Sequence, residues 1–248
     1  MRTELDTEEC GARPRTVLCL EWFGHRTEPD TEGFPEGGVT EKINRQFEAR
    51  VQRYPMPTPA SGTARTSRAV ILAEGPSDQV AIEMLAARRG YDLERSGVTV
   101  VAIGGATNLR PFLETYGPKG RGALLAGLGD IGEVAVYGRT LSRAGVSCGP
   151  SRQELEEVGF HMCVVDLEDE LIRALGSAQT RSIVELPDTP GSFRSYQRQP
   201  AHRAEPLDTQ LRGFVTNWKI EYARLFVGEL NLAQVPRPLQ AVLDYVLR

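Results

Sequence analysis

The chain has 248 residues, 40% hydrophobic and 25% charged, with a formal net charge of −4, the composition of a globular chain able to form one sizeable domain with tails. No apolar run approaches the roughly 20 residues of a membrane helix. Val17–Leu20 is too short, and its flanks too acidic, for a secretory signal, so a cytoplasmic protein with no membrane partner is expected. The acidic balance argues against a protein that coats nucleic acid over its whole surface, while leaving room for a local basic groove.

In chain order, residues 1–67 differ in texture from the rest. They are rich in Thr, Glu, Arg, Gly and Pro and carry only short apolar pieces. One helix fits Glu41–Tyr54, with Ile43, Phe47 and Val51 at four-residue spacing, followed by a linker-like Pro55–Thr63. The region is expected to be largely disordered.

From Arg68 strands alternate with helices. Val70–Leu72 is an apolar run suited to a strand buried on both faces. Glu74 ends it, Gly75-Pro76 turns the chain, and Ser77 is the expected N-cap of a helix lined by Val80, Ala81, Met84 and Leu85. A second strand is expected over Val98–Ile103, closed by Gly104-Gly105, with a helix over Asn108–Thr115. A third covers Ala123–Leu128, closed by Gly129-Asp130-Ile131-Gly132-Glu133, with a helix running toward Arg143. After a short helix at Glu154–Glu157, a fourth strand is expected over His161–Val165 and a helix over Leu171–Leu175. Such βα units imply an α/β fold with a mostly parallel four-stranded sheet covered on both faces. Pro187–Pro206 reads as irregular and Leu207–Leu230 as one or two helices. A last amphipathic helix opens at Pro236-Arg237-Pro238, with Leu239, Val242, Leu243 and Val246 inside. The domain boundaries read from this pattern are 1–67, 68–176 (α/β domain) and 177–248 (helical C-terminal extension).

Three of the four strands end in carboxylates: Glu74 with Asp78, Asp130 with Glu133, and Asp166 with Glu168. Capping alone favours acids at strand ends and in first helical turns. Three strand ends on one rim nevertheless crowd like charges, which a cation would neutralise. Hard divalent ions take oxygen ligands of this kind, so the pattern points to metal-assisted phosphoryl chemistry.

The segments Leu72-Ala73-Glu74-Gly75-Pro76-Ser77-Asp78, Ile103-Gly104-Gly105, Gly127-Leu128-Gly129-Asp130 and Asp166-Leu167-Glu168 resemble the TOPRIM domain of OLD-family proteins, above all stand-alone actinobacterial forms. The resemblance covers about Arg68 to the C-terminus. It implies a compact Rossmann-like fold and a magnesium (or manganese) site that cleaves or joins phosphodiester bonds. By this likeness Glu74 is a metal ligand or general base, Asp130, Asp166 and Glu168 are metal ligands, and Asp78 is a supporting ligand. Two departures stand out. TOPRIM enzymes usually carry Asp-x-Asp after the third strand; here the second position is Gly132, with Glu133 the nearest substitute. OLD-family nucleases also couple the domain to an ATPase, yet no GxxxxGK[ST] stretch occurs, so an ATPase would be a separate partner.

Basic residues outnumber acids between Phe193 and Arg224: Arg194, Arg198, Arg203, Arg212, Lys219 and Arg224 against Glu205, Asp208 and Glu221. Basic groups meet phosphates and aromatics can stack on bases, but Phe193, Tyr196, Phe214, Trp218 and Tyr222 read better as helix core. Lys219 falls where the resemblance implies a late lysine that stabilises charge on the scissile phosphate.

Other chemistries fit less well. Gly75-Pro76-Ser77-Asp78-Gln79 lacks the closing glycine of a nucleophile elbow, and Gly104–Asn108 is no dinucleotide fingerprint. His161 and His202 read as core and surface residues. The four cysteines, Cys10, Cys19, Cys148 and Cys163, lack the spacing of a zinc or disulfide framework. The expected function is a magnesium-dependent endonuclease acting on nucleic acid, with DNA the expected substrate. The alternatives are nucleotidyl transfer by the same ligands, or a catalytically impaired module that binds nucleic acid or a partner protein.

Overall fold

The structure, a computed structural model, describes residues 67–187 and 189–248. The helix at Glu41–Tyr54, the linker after it and all but the last residue of the region 1–67 expected to be disordered lie outside the described residues.

Strand β1 (Ala69–Ala73) is buried along its whole length. It pairs in parallel with β2 (Val98–Ala102) on one side and β3 (Leu124–Asp130) on the other. Strand β4 (Phe160–Cys163) adds to β3, also in parallel, giving the order β2-β1-β3-β4. Every pairing is parallel, which explains why β1 reads as an uninterrupted apolar run rather than an alternating one. The register sets Ala73 opposite Leu128, and Asp130 opposite Cys163. Glu74, Asp130 and Asp166 thus emerge from three adjacent strands at one end of the sheet.

The side chains of β1 divide between two cores, as a two-residue period requires. Val70 and Leu72 pack with α2 (Leu109–Tyr116), α3 (Val134–Ala144) and α4 (Arg152–Glu157). Ala69, Ile71 and Ala73 pack with α1 (Pro76–Arg88), α5 (Leu167–Leu175) and α6 (Ser177–Val184). The same core takes in α8 (Leu207–Val215), α9 (Lys219–Glu229) and α10 (Arg237–Leu247). Phe226, Leu239, Val242, Leu243 and Val246 are fully enclosed there. Arginines fasten the C-terminal segment: Arg88 donates to the carbonyls of Val227 (2.7 Å) and Leu230 (2.6 Å), and Arg68 to that of Val246 (2.8 Å).

Four expectations are corrected. The N-cap of α1 is Gly75, not Ser77; Pro76 opens the helix, and the Asp78 carboxylate accepts the Gly75 N–H at 2.7 Å. Ser77 is buried instead. Strand β4 stops at Cys163, because Val164 and Val165 turn out to solvent with 48% and 42% exposure. Pro187–Pro206 is not wholly irregular: α7 (Phe193–Arg198) starts there, with the Ser192 hydroxyl accepting the Ser195 N–H. Helix α5 begins at Leu167, four residues before the expected start, capped by Asp166.

Two glycines in β3 have a packing reason. A Cβ at Gly127 would overlap the Phe160 ring, and one at Gly129 would press on the Tyr137 hydroxyl, so strand β3 can lie this close only without side chains there.

Candidate active site

A cleft opens beyond the carboxyl ends of β1, β3 and β4, lined by Glu74, Asp78, Asp130, Asp166, Glu168 and Lys219 and floored in part by Gly104-Gly105. This is where open α/β sheets place their chemistry. Glu74 follows β1 directly, and one carboxylate oxygen accepts the Asp130 N–H at 3.3 Å. Its main-chain carbonyl accepts the Gly105 N–H at 2.9 Å. Gly104 and Gly105 have φ of 72° and 106°, a left-handed backbone that disfavours side chains and brings main chain close beneath Glu74.

Asp166 caps α5 by accepting the Asp169 N–H at 2.8 Å, and its other oxygen meets Arg212 of α8 at 2.8 Å. Glu168 is 3% exposed. Its Oε2 accepts from Lys219 Nζ at 3.1 Å, while its buried Oε1 has no hydrogen-bond partner. Lys219 lines the cleft from the C-terminal segment, and Arg212 of the same segment bonds to Asp166.

The electrostatics follow from this crowding. Burial, reinforced by the charges of Glu168, Asp130 and Glu74, pushes the Asp78 carboxyl up to about 7 against the Gly75 hydrogen bond. Burial, with Glu74, Asp166 and Glu168, pushes Asp130 up to about 7 as well, opposed by Lys219. Glu74 is raised by burial and by Glu133, and lowered by the Asp130 N–H and Lys219. Burial works to lower Lys219, yet the charges of Glu168, Asp166 and Asp78 hold it above the usual lysine range. Burial and the Glu74, Asp78 and Asp130 charges also drive the enclosed Tyr137 phenol upward.

The cleft brings together Glu74, Asp78, Asp130, Asp166, Glu168 and Lys219. Glu133 closes the 3-10 turn Ile131–Glu133 and is not in the lining, although its charge reaches Glu74. Gly132 is exposed and a Cβ there would meet nothing within 4 Å, so space does not explain the glycine. Sequence reasoning missed the role of Arg212, which looked like one basic residue among several; its partner Asp166 is 46 positions away, and no local pattern joins them. Of the aromatics, Phe193, Phe214 and Tyr222 are core, while Tyr196 and Trp218 are half-buried. His161 is buried and held below the usual histidine range by desolvation. His202 is half-buried and bonded to Glu205 at 3.0 Å.

The donor set consists of hard carboxylate oxygens suited to magnesium or manganese. The unpartnered, buried Glu168 Oε1 and the raised Asp78 and Asp130 are the features a cation would relieve, so the residues fit such an ion. Among the described residues, no three acidic, histidine or cysteine side chains are grouped tightly enough to enclose one as they stand. No described helix is long and apolar enough to cross a membrane.

A small all-parallel sheet with carboxylates at three adjacent strand ends and a glycine pair at the fourth is a Rossmann-like α/β arrangement with an acidic rim. The family model "Overcoming lysogenization defect protein-like, TOPRIM domain" matches residues 66–119, the stretch from β1 through α2. The C-terminal region of the OLD protein of Xanthomonas campestris pv. campestris superimposes with a TM-score of 0.60 at 21% identity, covering 75% of this chain and 95% of that one. The corresponding region from Burkholderia pseudomallei gives 0.60 at 19% identity, over 73% and 97% of the two chains. The likeness to these regions reaches well past residue 119, and it is a likeness of fold. No curated protein matches the chain.

Proposed function

We propose that the chain is a divalent-ion-dependent enzyme acting on nucleic-acid phosphodiesters, a nuclease by reaction class, with DNA as the expected substrate. One observation carries this reading: four carboxylates from three adjacent strand ends share a cleft with a lysine. Glu74, Asp130, Asp166 and Glu168 would hold magnesium or manganese, with Asp78 supporting and Glu133 at the margin. Such an ion, when bound, would neutralise the phosphate and favour attack by water.

The chain's own residues divide the remaining work. Glu74, whose carboxyl burial holds above the usual carboxylate range, is suited to accept a proton from the attacking water. Lys219 keeps its proton and offers positive charge to the developing negative phosphate oxygens. Arg212 holds Asp166 and so fixes one wall. Glu168 positions Lys219 at the mouth of the cleft.

A second reading, a binding module without turnover, is favoured by Gly132 in place of an acid and by Glu133 lying outside the lining. Incubation with plasmid and single-stranded DNA under magnesium or manganese separates the two. Cleavage that Glu74→Gln and Asp130→Asn both abolish is the expected result. Retained DNA binding with no cleavage in either ion would establish the second reading instead, and cleavage undiminished in Glu74→Gln would overturn the assignment of the site.

A further inference from the structure

A second cavity lies beside the first. Its aromatic walls are Tyr196, Phe214 and Trp218, and its mouth carries Ser195, Gln199 and Asn217. It adjoins the carboxylate cleft through consecutive residues: Trp218 lines the cavity and Lys219 lines the cleft. We propose that this cavity receives an unpaired nucleobase of the strand whose phosphate occupies the cleft, which makes single-stranded or locally unpaired nucleic acid the substrate class. The inference rests on the nucleic-acid reading of the cleft given above.

The rings are held, not loose. Phe214 is buried and stands at 5.3 Å from Trp218 and 5.5 Å from Tyr196 between ring centres, at 55° and 65°. His202 lies flat on Tyr196 at 4.0 Å and 11°. The outer edge of the Trp218 indole fills the space that a side chain at Gly191 would need. Tyr196 and Trp218 pack against the core but remain half-buried where they line the cavity. Phe214 is enclosed and His202 covers one face of Tyr196, so the stacking surface lies on the half-exposed Trp218 and the uncovered part of Tyr196, and it suits any base because every base has a π-face.

The polar mouth adds what a base edge needs. Gln199 and Asn217 are exposed amides, each able to donate and accept; the Asn217 amide already donates to the Phe214 carbonyl at 3.2 Å, which leaves its oxygen as an acceptor. A paired base inside a duplex cannot present its face to a wall of this kind; it has to leave the stack.

The test uses the full chain carrying Trp22→Phe, so that Trp218 is the sole tryptophan of the two in the sequence, with calcium present as a hard divalent ion for the carboxylate cleft in place of magnesium or manganese. A short single-stranded oligonucleotide, the same strand with abasic positions, and the matching duplex are titrated. Expected results are saturable quenching of Trp218 by the intact strand and binding weakened about tenfold or more by abasic positions, the scale of one lost base–aromatic stack. Tyr196→Ala should weaken single-strand binding similarly while changing duplex binding less than about twofold. The exposed pair Gln199→Ala/Asn217→Ala, which threatens no core, should alter the ranking of dA and dT homopolymers. Equal binding of intact and abasic strands, or an unchanged ranking in the double variant, would overturn the pocket and leave the cleft reading in place. Absence of all binding, to single strand and duplex alike, would overturn both.

Discussion

The two faces of the sheet are built by different rules. On one face, α2 and α3 each follow directly in sequence the strand whose end they leave, and their core is closed by residues up to Met162. On the other, α1 and α5 are local, but the cover is completed by α8, α9 and α10, which come last in the chain. Arg212 and Lys219 belong to that second face. The comparison teaches that the sheet brings the carboxylates together, whereas the cations bonded to Glu168 and Asp166, Lys219 and Arg212, are delivered by the C-terminal segment.

The comparison can be broken or sharpened by substitution, from the largest effect to the smallest. Leu243→Ala in α10 empties a fully buried site and should cost about 2–5 kcal/mol, read as one cooperative denaturant transition moving to a lower midpoint. A separate early transition with the α/β core unshifted would mean that the two segments fold independently. On the local face, Gly129→Ala drives a methyl group onto the Tyr137 hydroxyl and should cost about 1–3 kcal/mol. Adding Tyr137→Phe should recover part of that loss, because the hydroxyl is buried without a partner; no recovery would mean that the strain lies elsewhere.

Lys219→Met removes the partner of a buried carboxylate and should cost about 1–3 kcal/mol, with Glu168→Gln in the same chain restoring melting temperature. Asp130 supplies a pH test. Its folded-state carboxyl is raised from 3.8 to about 7, so the folded state favours the protonated form. That stabilisation is fully present below about pH 4 and lost as pH rises through about 7. Asp130→Asn should therefore melt higher than the wild type at pH 8 without divalent ions, and the gain should vanish near pH 4; an equal shift at both values would exclude the charge as cause. Glu114→Gln, which breaks the exposed pair with Arg110 (2.7 Å), should change stability by less than about 0.5 kcal/mol.

Much of this was legible in the sequence because the signals are local. The apolar run before Glu74 marks a doubly covered strand, and acids just past strand ends mark one rim of a parallel sheet. Leu239, Val242, Leu243 and Val246 mark the inner face of α10 by spacing alone. Where the reading went astray, the deciding partner was distant or the local signal ambiguous. Val164 and Val165 look like strand core, but β4 has already ended and they face solvent. Ser77 has good capping chemistry, yet Asp78 one position on bonds back to Gly75 and takes the task. Helix α7 hides in a Pro-, Arg- and Gln-rich stretch, and its own buried anchor is Phe193. The tie between Arg212 and Asp166 has no sequence period at all. It exists only because the C-terminal segment folds back over the sheet.

Calorimetric titration of manganese into the wild type, Glu74→Gln and Lys219→Met tests the central claim most directly, that the carboxylate cleft closed by a C-terminal lysine is a divalent-ion site. The account predicts binding to the wild type, loss of binding in Glu74→Gln, and tighter binding in Lys219→Met, where a competing cation has been removed. Binding unchanged in both variants, or absent from the wild type, would contradict it.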